Sequence, residues 1–94
     1  MKIVHAKKLE DCFDGSGVYG YAFDAPWTRE FIARLEELGK LEYFAGFPKP
    51  LFRLIGSEGF QIKGVEGETT CRAIFPRRDR DAIRERFERL FSTY

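Results

Sequence analysis

The sequence predicts a two-layer α+β fold. One mainly antiparallel sheet of five to six strands carries two helices on one face, in the order ββαββββα. Six short stretches have strand character, and turn-rich links of a few residues join the last four. Links that short make hairpins, because a parallel crossover takes a dozen residues or more. Two longer stretches place apolar residues three and four apart, as helices do. The 94 residues fit a single domain, 1–94, and a composition 44% hydrophobic and 33% charged fits a packed chain rather than a disordered one.

KIVHAK (2–7) has mild strand character. KKLEDCFDGSG (7–17) is polar and reads as a connection that ends in turn chemistry, with Asp14-Gly15 as the turn dipeptide. VYGYAFD (18–24) alternates, with Tyr19, Tyr21 and Phe23 on one face and Val18, Gly20 and Ala22 on the other. It forms a hairpin with the first strand. DAPWTREFIARLEELGK (24–40) is the clearest helix. Asp24 or Thr28 caps it, and Pro26 suits a first turn that needs no N–H partner. Trp27, Phe31, Leu35 and Leu38 form its apolar stripe with Ile32 beside them, and Gly39 supplies a left-handed stop.

Four strands follow: LEYFA (41–45), LFRLI (51–55), FQIKGV (60–65) and TTCRAIF (69–75). GFPKP, GSEG and EGE connect them, and Pro48 and Pro50 stiffen their link and protect a sheet edge. Pro76 ends the last strand. RDRDAIRERFERLF (78–91) is then a second helix, buried through Ile83, Phe87, Leu90 and Phe91.

The net charge of +1 gives no global field that would draw the chain to nucleic acid or a membrane. The charge is uneven, however. Residues 1–47 hold six Lys/Arg and eight Asp/Glu, or −2, and residues 48–94 hold ten and seven, or +3. No apolar run is long enough to span a membrane, and MKIVHAKKLED turns charged before any secretory core develops. The expectation is a cytoplasmic chain with Cys12 and Cys71 reduced.

Gly15, Gly17 and Gly20 fit the spacing G-x-G-x-x-G of phosphate-cradling loops. That fingerprint needs a strand before it and a helix opening on it. Here a polar stretch precedes the glycines and a strand follows them. The glycines therefore read as a turn at Gly15 and Gly17 and a close approach within the sheet at Gly20.

His5 is the only histidine. A thiol–imidazole pair with Cys12 or Cys71 would predict an unusually reactive cysteine, but Cys71 alternates with Ala73 and Phe75 as a small hydrophobe does. Two distant cysteines and one histidine do not make a zinc site, and EGE is too short for a calcium loop. No catalytic residue, metal or cofactor is expected.

Two surfaces stand out. If Leu41, Tyr43, Phe52, Leu54, Phe60, Ile62, Cys71, Ala73 and Phe75 face the helices, the outer sheet face is mixed. It carries the apolar Phe44, Leu51, Ile55, Val65 and Ile74 among the basic Arg53, Lys63 and Arg72. The apolar set suits a protein partner or a second copy of the chain. The basic set beside an aromatic ring suits nucleic acid. Sheet curling that lets Val65 and Ile74 cover each other explains the same mixture without any partner. The second surface is FPRRDRD (75–81), where Arg77, Arg78 and Arg80 meet the start of the second helix. Arginines converging there with helix N–H groups would bind an anion, while Asp79 and Asp81 restore the acidic preference of a helix start. The leading expectation is a small non-catalytic interaction or homodimerising module. The alternative is a nucleic-acid or phosphate-binding domain using Arg53, Lys63, Arg72, Arg77, Arg78 and Arg80.

Overall fold

The structure, a computed structural model, describes residues 1–93. Its elements are β1 (Ile3–Asp11), β2 (Gly17–Phe23), α1 (Arg29–Arg34) running into a 3-10 turn (Leu35–Leu38), β3 (Gly39–Phe44), β4 (Leu51–Gly56), β5 (Gln61–Val65), β6 (Thr70–Phe75) and α2 (Arg80–Thr93). The six strands form one sheet in the order β1-β2-β6-β5-β4-β3. Every neighbouring pair is antiparallel. The order ββαββββα and the α+β architecture are as the sequence predicts. The chain returns from β2 through α1 to the far edge and then fills the sheet inward by three hairpins.

Strand alternation builds the core. Tyr21, Phe23, Phe52, Leu54, Ile62, Cys71, Ala73 and Phe75 are buried on one face of the sheet. Ile32 of α1 and Ile83, Phe87 and Phe91 of α2 close over them. Phe87 touches Tyr21, Phe60, Phe75 and Phe91 at ring-centroid distances of 5.0–5.5 Å, mostly tilted or edge to face. Rings arranged that way fill a small core at little entropic cost. Both helices therefore lie on one face, and among the described residues no second layer covers the other face of the sheet.

The first helix is shorter than its 24–40 periodicity predicts. Trp27 lies before it, docked on the β5–β6 turn by its own backbone and by its indole N–H, which donates to the Thr70 carbonyl at 3.0 Å. Thr28 is the cap, its hydroxyl accepting from the Phe31 N–H at 3.1 Å. Asp24 instead accepts from the Lys2 N–H. Gly39 is also not a simple helix stop. It opens β3, and a β-carbon there would sit 2.1 Å from the Ile55 carbonyl oxygen. The need for glycine is close backbone approach between β3 and β4.

The polar stretch 7–11, read as a connection, is strand. β1 runs on to Asp11, paired with Gly17 of β2. Only Cys12–Ser16 turns, with Gly15 at φ +89° and the Asp14 carboxylate accepting from both the N–H and the hydroxyl of Ser16. Those two bonds lower the Asp14 pKa.

Candidate functional site

The open face of the sheet is a concave surface with a depression of about 730 Å³. Ligand clefts run from roughly 300 to 1,000 Å³. His5, Lys7 and Leu9 of β1 line one side of it, and Phe44 of β3 with Leu51 and Arg53 of β4 line the other. Residues from both edge strands thus face the same space, as curvature of a twisted sheet allows.

The register arranges this face in rows that cross the strands. In the central row Lys7 stands opposite Gly20, Gly20 opposite Arg72, Arg72 opposite Lys63, Lys63 opposite Arg53 and Arg53 opposite Glu42. Four cations and one carboxylate span all six strands. Arg53 donates to Glu42 through Nε at 2.7 Å. Lys7, Lys63 and Arg72 take part in no ion pair among the described residues, whereas Arg84, Arg86 and Arg89 of α2 each meet a carboxylate. Three cations of this row thus stand without a carboxylate partner among the described residues, while Glu68 adds one negative charge to the lining of the depression.

Apolar residues flank the cations on both sides. Phe44, Leu51 and Val65 form one neighbouring row, and Ile55, Ile74 and Val18 belong to the other, with Gln61 between the two isoleucines. Val65 lies four residues along β5 from Gln61, the register partner of Ile74, so Val65 and Ile74 fall on opposite sides of the cation row rather than on each other. Both stay half-exposed. Gly20, which interrupts the cations, is covered by the Leu9 side chain.

The structure brings Phe44, Leu51, Arg53, Lys63, Val65 and Arg72 into this one depression, with Ile55 and Ile74 on the same face. The sequence does not by itself place His5, Lys7 and Leu9 on this face. Their signal was an alternation H-x-K-x-L that continues the first strand beyond residue 7.

Arg77, Arg78 and Arg80 lie elsewhere, at the start of α2. Arg80 donates through Nη1 to Asp11 and to the Gly15 carbonyl, each at 3.2 Å, and the Arg77 stem lies against Gly15. These contacts hold the β1–β2 turn on the helix. Asp79 and Asp81 share the same shallow hollow, so its charge is mixed.

The thiol–imidazole pair does not assemble at Cys71. Its side chain is buried in the core, while His5, the register partner of Ala22, faces the opposite side of the sheet. Desolvation pushes the Cys71 thiol up to about 12, away from the reactive thiolate. No group of three His, Cys, Asp or Glu residues placed to hold a metal occurs among the described residues. No helix there is long and apolar enough to cross a membrane. No family model matches the chain, and neither a curated protein nor a solved structure matches it.

Proposed function

We propose that this protein is a non-catalytic binding domain that takes an anionic ligand on its open sheet face. One observation carries the reading: Lys7, Arg72, Lys63 and Arg53 share a single row with one carboxylate at its end. Like charges opposite each other on adjacent strands oppose folding. An anion laid along the row removes that repulsion and gains charge-assisted hydrogen bonds from the arginines.

Titration with inorganic polyphosphate at low salt tests this. Lys63→Glu removes a row cation and is expected to abolish most of the binding. Arg89→Glu makes the same change in net charge on the helix layer, at a residue paired with Glu85, and is expected to have little effect. Equal losses from both variants would leave only a nonspecific charge effect.

Contact with a protein partner or a second copy is the second reading, favoured by the half-exposed Leu51, Val65, Ile55 and Ile74. Face-to-face pairing of two copies would bring two cation rows together. Light scattering over a range of concentrations and salt checks it: the dimer reading requires association that strengthens as salt screens the rows.

A further inference from the structure

We infer that the anion is a single strand of nucleic acid, its phosphates on the cation row and its bases on the Phe44 side. This rests on the anionic-ligand reading above. Lys7 to Arg53 covers four strand intervals, or about 19 Å at the usual ~4.8 Å between strands. The row of Phe44, Leu51 and Val65 lies two residues away along the strands, about 7 Å. A polynucleotide has the matching layout, with a charged backbone and flat apolar faces displaced to one side of it. The Phe44 ring stands at the end of that row, 45% exposed. Phe47, three residues on in the β3–β4 loop, is 54% exposed. Base stacking on such rings tolerates any sequence.

Competing anions fit less well. An extended acidic peptide on the flat of a sheet leaves its own N–H and C=O groups without partners over the apolar rows. A nucleic acid strand instead lays its phosphate oxygens on the cation row and turns the faces of its bases, not their polar edges, to the apolar row. A duplex offers the phosphates but hides the base faces that the exposed ring would stack on.

The experiment compares a short oligothymidylate, the same length as a duplex, inorganic polyphosphate and oligoglutamate, by fluorescence anisotropy or calorimetry. The oligothymidylate is expected to bind most tightly. With three or four phosphates neutralised, its log affinity should fall against log salt with a slope of about −2 to −3. Lys63→Gln and Arg72→Gln should each reduce that slope by about 0.7. Phe44→Ala should weaken the oligothymidylate about tenfold at unchanged slope and leave polyphosphate binding unaltered. Circular dichroism of each variant separates loss of binding from loss of fold.

Equal affinity for polyphosphate and oligothymidylate, with Phe44→Ala affecting neither, would overturn the nucleic-acid assignment and keep the anion-binding reading. Preference for the duplex or for oligoglutamate would overturn the assignment in the same way. Binding of no polyanion at low salt would remove both.

Discussion

Arg72 of β6 stands directly opposite Lys63 of β5, on the open face of the sheet, and neither is in an ion pair among the described residues. Cross-strand neighbours of like charge destabilise a sheet instead of supporting it. A strand pair selected for stability alone would place an acid or a β-branched residue at one of the two positions. Here the next strand adds Arg53 to the same row.

Neutralising the row is therefore expected to stabilise the free protein. Lys63→Gln should raise unfolding free energy by about 0.2–1 kcal/mol at low ionic strength. The gain should shrink as salt is raised, since the screening length falls from roughly 10 Å at 0.1 M to 3 Å at 1 M. Urea denaturation at both salt concentrations checks this. A variant less stable than the parent at low salt would show that the Lys63 stem packs usefully and that the row carries no repulsive cost.

The glycine that opens β3 and a glycine in the loop after it should respond in opposite ways to alanine. At Gly39 the added carbon would clash with the Ile55 carbonyl oxygen at 2.1 Å and with the Gly56 α-carbon at 2.8 Å, both backbone atoms. Backbone atoms in a paired strand cannot give way without breaking the β3–β4 ladder, so Gly39→Ala should cost about 1–3 kcal/mol. Gly46, in the following loop, has nothing within 4 Å of such a carbon and no left-handed φ. Gly46→Ala should leave stability unchanged or raise it by up to about 1 kcal/mol through the unfolded chain. Thermal melts of the pair decide it. Equal destabilisation by both would mean that close approach at Ile55 is not what requires glycine at position 39.

Gly39 also shows where sequence reasoning stops. A glycine after an apolar helical stripe reads as a helix stop, and only the three-dimensional approach of β4 reveals another cause. The 24–40 helix failed for a related reason. Trp27 fits the helical spacing, but its N–H and carbonyl are bonded to Glu68 and Gly67, a turn far away in the chain. Tertiary hydrogen bonds decided the start of the helix, and local periodicity does not contain them. The strand faces were legible throughout β4, β5 and β6, because a period of two admits only one choice once Phe52, Leu54, Ile62 and Ala73 are buried together. Arg53, Lys63 and Arg72 were therefore found on their shared face. Lys7 was missed, because β1 is exposed on both faces and its polar residues give no burial signal. The cation row itself was illegible, since register between strands distant in sequence is needed to align Lys7 with Arg72.

Stability should fall in alkali, and the core identifies two of the groups responsible. Burial raises the Cys71 thiol from an ordinary 9.0 to about 12. Burial, and then the hydrogen bond its hydroxyl donates to Glu88 at 2.7 Å, hold the Tyr21 phenol well above its ordinary 10.0. In both cases the folded state keeps a proton that the unfolded chain releases at lower pH. The unfolded state binds fewer protons through this range, so unfolding free energy decreases as pH rises. The stabilisation is complete below pH 9.0 for Cys71 and is progressively lost from there toward about pH 12. Tyr21 adds its own loss above pH 10.0. Urea midpoints measured at pH 8 and again above pH 10 should therefore drop in the parent protein. The drop should be smaller in Cys71→Ala and in Tyr21→Phe, although both variants start from lower stability at pH 8. A parent and variants that lose the same stability over this interval would show that neither proton is retained by the fold.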